Sequence, residues 1–144
     1  IHPVAADPAA LLREAARETG PEVIDCATAG APAAWRLDEE GMRRALANVL
    51  RNAVQASPPG ARVEASMSRE RDRLVFTVRD HGPGFLPGQI AQLFDPFYTT
   101  RATGTGLGLA VAQRMVRLHG GSIHAENAPD GGARVRIAIP EARG

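Results

Sequence analysis

No lysine occurs anywhere in this chain; all 17 of its Lys/Arg side chains are arginine. That excludes the Walker-type phosphate loop, whose lysine reaches the nucleotide phosphates. Cysteine is nearly absent as well. Cys26 stands alone, so neither an internal disulfide nor a multi-thiolate metal site can form within one chain, and a reducing, cytoplasmic setting is expected. No apolar run approaches the ~20 residues that cross a bilayer, and the first residues lack the order of a signal peptide. Neither sign of charge is in excess: the formal net charge is +1. Nucleic acid and anionic membranes are therefore not expected partners, and an anionic ligand has to be held locally. The chain begins with Ile1 where a complete protein has methionine, so it reads as an excised piece whose parent carries further domains.

At 144 residues, 44% of them hydrophobic, the chain fits one domain, 1–144, with one ordinary core. Asp7-Pro8 reads as an N-cap with proline at the first helical position, and Gly20-Pro21 as a stop, which predicts a helix over 7–19. Glu22 to Ala27 reads as a short strand, followed by a loop on Gly30, Ala31 and Pro32. Asp38 can cap a second helix running to about Ser57, in which Met42, Leu46, Val49, Leu50 and Ala53 recur at helical spacing. Strands over 62–69 and 73–79 are expected to pair as a hairpin. A glycine-, proline- and threonine-rich segment from His81 to Gly108 holds only a short helix at Gln89 to Phe94, and a segment of that length is either a functional lid or disordered. A third helix over about 106–119, capped by Gly120-Gly121, and closing strands over 122–126 and 133–139 complete the reading. Such a mixture predicts an α/β two-layer sandwich, with a mixed, mostly antiparallel sheet of about five strands covered on one face by three helices.

Four segments carry candidate chemistry. Asn48 and Asn52 lie about one helical turn apart on one face, and Gln55 extends the stripe. Asparagine is a poor helix former, while its amide oxygen is a suitable hard ligand for magnesium; solvated amides on a wet helix face are the competing explanation. Asp80-His81-Gly82-Pro83-Gly84 ends a strand with a carboxylate and two glycines. A carboxylate there can accept from an exocyclic amine such as that of adenine, and glycines let backbone approach a flat ring, although an ordinary turn has the same composition. Gly104-Thr105-Gly106-Leu107-Gly108-Leu109 opens a helix, where free amides and the helix dipole suit a phosphate, with a flexible hinge as the alternative. Leu109 stands where the dinucleotide fingerprint needs its third glycine. Between the glycine segments, Phe94, Phe97 and Tyr98 concentrate three of the five Phe and Tyr residues in a loop, which suits a lid that folds over a ligand or against a partner.

In order and spacing these segments resemble the catalytic, ATP-binding domain of sensor histidine kinases, in the superfamily shared with DNA gyrase, the heat-shock chaperone ATPases and the mismatch-repair ATPases. The resemblance spans 38–140: Asn48 to Ala53 as the N box, Asp80 to Gly84 as the first glycine box, Phe94-Asp95-Pro96-Phe97 as the F box, and Gly104 to Leu109 as the second glycine box. The N box and the Thr99-Thr100-Arg101 that follows the F box are most similar to the nitrogen-regulation type. The resemblance implies a Bergerat-type sandwich with an ATP lid, and ATP and Mg2+ as ligands. By it, Asn52 is the metal ligand, Asn48 supports metal and phosphates, Asp80 reads the adenine amine, and Gly82 and Gly84 line the base. Gly104, Thr105, Gly106, Leu107 and Gly108 offer amides to the phosphates, with Phe97, Thr100 and Arg101 closing from the lid.

Related hydrolases have a glutamate base where Asn48 stands. An amide cannot take a proton from water, so ATP is expected to be kept for transfer. Many family members have lysine and an aromatic residue in place of Gln55 and Ala56, and Arg51 or Arg101 is the candidate replacement for the cation. Ala133 stands where a threonine is common near the base. The expected acceptor, a histidine on dimerisation helices, is not in this chain, and His2, His119 and His124 are expected to be surface residues. By the resemblance the isolated domain is a monomer, the parent a homodimer that is in some relatives membrane-anchored, and a response regulator lies downstream. A degenerate or regulatory module that holds ATP and docks a partner without transfer is the alternative; a serine-directed anti-sigma kinase or gyrase-like hydrolase is disfavoured by Asn48 and the F box.

Overall fold

A computed structural model describes residues 1–96 and 108–143. In chain order the elements are β1 (Pro3–Ala6), α1 (Pro8–Thr19), β2 (Ile24–Gly30), β3 (Trp35–Asp38), α2 (Glu39–Ala56), β4 (Val63–Glu70), β5 (Arg73–Arg79), α3 (Gln89–Gln92), α4 (Gly108–Leu118), β6 (Ser122–Asn127) and β7 (Ala133–Pro140). Five strands form one sheet in the order β2-β4-β5-β7-β6, antiparallel except for the β2–β4 pair. Helices α1, α2 and α4 bury their apolar sides in one core with the inward residues of that sheet. The expected two-layer sandwich is therefore the architecture observed.

Both long N-terminal helices start as their sequences predict. Asp7 accepts from Ala10 N–H at 3.2 Å with Pro8 in the first turn, and Asp38 accepts from Gly41 N–H at 2.9 Å. Each cap satisfies an amide that the helix cannot pair internally. Alternation decides the sheet's faces. Leu74, Phe76 and Val78 of β5 and Val135, Ile137 and Ile139 of β7 point into the core, while Arg134 and Arg136 lie on the opposite face. Those arginines pair across strands with Glu126 and Glu70.

Two strands were not expected. β1 and β3 form a separate antiparallel ladder running from Pro3↔Asp38 to Ala6↔Trp35. The other edge of β3 meets the C-terminal tail, since Ala142 N–H donates to the Arg36 carbonyl at 2.9 Å. β2 also differs from expectation, beginning at Ile24 and reaching Gly30, which the sequence assigned to a loop. A register shift between Ala27 and Gly30 lets Gly30 pair with Ser68.

Candidate functional site

Helix α2 is the axis of the site. Its buried side carries Met42, Leu46, Val49, Leu50 and Ala53, and the next stripe round the cylinder carries Asn48 and Asn52, both half-buried. Burial of the apolar stripe fixes the rotation of the helix and so aims the two amides. The Asn48 amide oxygen accepts from the Arg51 guanidinium at 3.2 Å. Asn52 and Gln55 are engaged by partners as well.

Two other segments converge on α2. Helix α4 packs against it in the antiparallel sense, Gly41 meeting Met115 at one end and Gly108 meeting Asn48 at the other. A Cβ at Gly41 would lie 2.5 Å from the sulfur of the flexible Met115 side chain, while a Cβ at Gly108 would lie 3.9 Å from the Asn48 Cβ. The first turn of α4 therefore begins beside Asn48, and a helix's first turn offers amides that the helix itself does not pair. At the last turn of α2 the loop after β5 closes in. A Cβ at Gly82 would collide with the Ala56 carbonyl oxygen. The Ser57 hydroxyl donates to the Ala53 carbonyl at 3.0 Å and accepts from His81 N–H at 3.3 Å. Asn52 thus occupies the stretch of helix between the Gly108 and Gly82 contacts.

Asp80 is buried at 5% exposure. One carboxylate oxygen accepts from Gly82 N–H at 2.9 Å and Ala133 N–H at 3.0 Å, and its own N–H donates to the Ala133 carbonyl at 2.9 Å. This carboxylate is held rigidly by backbone from β7, as a group that reads one donor of a ligand has to be. Gly84, at φ +76°, faces away from α2, toward Asn127 and Gly132.

Among the sequence candidates, Asn48, Arg51, Asn52, Gln55, Asp80, Gly82, Gly84 and Gly108 are described, and α2 gathers Asn48, Asn52, Gly82 and Gly108. Phe97, Thr100, Arg101, Gly104, Thr105, Gly106 and Leu107 lie outside the described residues. Among the described residues no three His, Cys, Asp or Glu side chains gather as a metal cage. A divalent cation here would take amide, phosphate and water oxygens, which suits magnesium.

Sequence reasoning missed three residues. Ser57 and Asn127 tether the Asp80 loop from α2 and β6, and neither carries a local signal of that role. His119 was expected at the surface and is buried at 5% exposure. Its Nε2 accepts from Asp38 N–H at 3.0 Å, and Nδ1, the protonated nitrogen, donates to the Met115 carbonyl at 2.9 Å. Both ring nitrogens are therefore spent on structure.

Comparison with known proteins gives a consistent result. The family described as histidine kinase-, DNA gyrase B-, and HSP90-like ATPase matches residues 37–143. The signal transduction histidine-protein kinase AfsQ2 of Streptomyces coelicolor is 39% identical over 111 residues, covering 74% of this chain and 20% of that protein. The sensor histidine kinase CpxA of Escherichia coli K12 is 36% identical over 117 residues, covering 76% of this chain and 25% of that protein. The chain thus spans about a fifth to a quarter of the length of these relatives. Among solved structures, a mycobacterial sensor histidine kinase, MprB, superposes over 100% of both chains with TM-score 0.81 and 26% identity. Full-length ShkA in complex with AMPPNP superposes over 100% of this chain and 32% of its own, with TM-score 0.86 and 29% identity. Among the described residues no helix is long and apolar enough to cross a membrane.

Proposed function

The chain belongs to the family of histidine kinase-, DNA gyrase B- and HSP90-like ATPases, and on that premise we propose that it is the ATP-binding catalytic domain of a sensor histidine kinase in two-component signalling. The observation that carries this reading is the meeting of two glycine segments on one helix, Gly82 against Ala56 and Gly108 against Asn48, with Asn52 between them. A base held near Asp80 and Gly82 and phosphates held at the start of α4 would then span the amide stripe. Asp80 accepts from the exocyclic amine, which a base lacking that amine cannot supply. Asn52 supplies an amide oxygen to Mg2+, and bound Mg2+ neutralises phosphate charge. Asn48 and Arg51 orient and balance the phosphates, with Gln55 at the edge of the same stripe.

Without a carboxylate at position 48, the protein has no base there to activate water. In the parent, the γ-phosphoryl group passes to a ring nitrogen of a histidine on the dimerisation helices. A P–N bond forms, the P–O bond to ADP breaks, and the imidazole proton is released. The phosphoryl group then goes to a response regulator.

Calorimetric titration with ATP, with and without Mg2+, tests the site. Binding is expected to depend on Mg2+, with negligible turnover by the domain alone, and Asn52→Ala is expected to weaken Mg-ATP binding about a hundredfold, or about 2.7 kcal/mol. Rapid hydrolysis, or affinity indifferent to both Mg2+ and Asn52, would overturn the reading. Adding a separate histidine-bearing helical hairpin should give acid-labile label from γ-labelled ATP; a domain that binds ATP but never transfers it would be a regulatory module.

A further inference from the structure

One side chain outside the nucleotide boxes controls the backbone between them. Asn127 ends β6, and its amide oxygen accepts from Phe85 N–H at 2.7 Å while its amide nitrogen donates to the Phe85 carbonyl at 3.0 Å. Both polar backbone groups of one loop residue are thereby held by a single side chain, as a neighbouring strand would hold them. Phe85 directly follows Gly84, and a Cβ at Gly84 would lie 2.7 Å from that same Asn127 oxygen. The left-handed φ of +76° at Gly84 brings the chain round to the clamp without steric penalty.

The loop from 81 to 85 is consequently pinned at both ends by the β6–β7 hairpin. Asp80 is fixed to Ala133 at the start of β7, and Phe85 to Asn127 at the end of β6. The connecting turn sets the spacing between the pins: Ala128 N–H donates to the Gly132 carbonyl at 2.9 Å, and a Cβ at Gly132 would strike the Asp80 carbonyl. Beyond Phe85 the chain turns into α3, with Leu86 N–H donating to the Gln89 side chain.

We propose that Asn127 is a specificity-determining positioning residue, which holds the Gly82–Phe85 backbone against relaxing and so enforces selection of adenine by Asp80. This rests on the nucleotide reading above. A carboxylate discriminates between a base with an exocyclic amine and one with a carbonyl oxygen there only if loop and carboxylate cannot shift apart to admit the wrong base. The two hydrogen bonds from the Asn127 side chain to Phe85 supply that rigidity.

The test compares Mg-ATP with Mg-ITP, which differ at the group Asp80 would read, for the domain and for N127A and N127D. The domain should prefer ATP. N127A is expected to lose about tenfold in ATP affinity and less than about threefold in ITP affinity, so the preference collapses. N127D keeps the acceptor for Phe85 N–H but sets a second acceptor against its carbonyl, and should fall between. Thermal unfolding without nucleotide should be nearly unchanged, and exchange of the Phe85 amide should accelerate in N127A. Equal weakening of both nucleotides, or an unchanged ratio, overturns the proposal. Should N127A fail to fold, N127D decides by the same ratio. If the unsubstituted domain binds neither nucleotide, the nucleotide reading itself falls, a result that no variant data can mimic.

Discussion

At its first turn α2 is tied by hydrogen bonds between side chains and backbone. Asp38 accepts from Gly41 N–H and from His2 N–H, and its own N–H is taken by His119, 81 positions along the chain. At its last turn the same helix is held by close backbone approach: Ala56 against Gly82, and Ser57 between Ala53 and His81. The first end is a knot of directional bonds from β3, α4 and the N-terminus, which fixes where the helix is. The second is backbone packed on backbone, with almost no side chain between. One helix is therefore anchored by side chains at one end and packed against loop backbone at the other, provided its middle transmits position. Burial of Leu46, Val49 and Leu50 ensures that it does.

The most damaging way to break this contrast is to crowd the end held by backbone contact. In Gly82→Ala the added Cβ meets backbone at Ala56, which cannot swing aside as a side chain would. Overpacking of this kind costs about 2 kcal/mol, and because the strain is relieved by moving the loop, Mg-ATP affinity should fall more than about tenfold. Chemical denaturation and calorimetry on one preparation would show both losses. If stability falls and affinity does not, the last turn of α2 is packing rather than binding surface.

The next test attacks the anchored end. His119→Ala leaves the Asp38 N–H without its acceptor and opens a hole in a buried site, a loss of about 2 kcal/mol in unfolding free energy. Affinity for Mg-ATP should stay within about twofold. Loss of binding in proportion to loss of stability would show that the two ends are not separable.

How far this contrast can be read from sequence follows from what each end is made of. The α2 caps, its apolar stripe and the β4–β5 hairpin are local signals, and they appear where Asp38, Met42 to Ala53 and the alternation of Leu74, Phe76 and Val78 place them. The N box and the glycine segments of the candidate site are short and local too. β3 was missed although Trp35 and Leu37 alternate with Arg36 and Asp38, because four residues are too few to separate a strand from a loop. Its partners come from the two chain ends, which no window contains. His119 was misplaced for the same reason, since its burial is decided by the distant Asp38. Asn127 looks like any turn asparagine until β6 brings it to Phe85. Spacing marks the groups that would touch a ligand, whereas the groups that hold them in place are marked only by the fold.

The smallest expected effect sharpens the comparison by removing a charge and leaving the cap. Burial alone would raise the Asp38 carboxyl, but the Gly41 and His2 backbone donors outweigh it and hold the carboxyl below its ordinary value. A carboxyl depressed in the folded state contributes stability that is fully present above its unfolded value and is lost as pH falls through its folded value. Asp38→Asn keeps a competent N-cap but not the charge at the helix's positive end. At neutral pH the variant should be less stable by only about 0.5 kcal/mol, because the carboxylate is partly solvated. That difference should shrink as pH falls below the ordinary carboxylate range and vanish once the original side chain is also neutral. Asp25 and Asp130 are depressed as well, by groups other than Asp38, whereas Glu40 also feels the Asp38 charge, so the difference between the two acid-unfolding curves reports Asp38 together with its coupling to Glu40. A gap that persists into acid would assign the first turn's contribution to hydrogen bonding alone. Nucleotide affinity should not follow pH across this window through Asp38, because the carboxylate belongs to the end of α2 that holds the helix and not to the end that would hold the base.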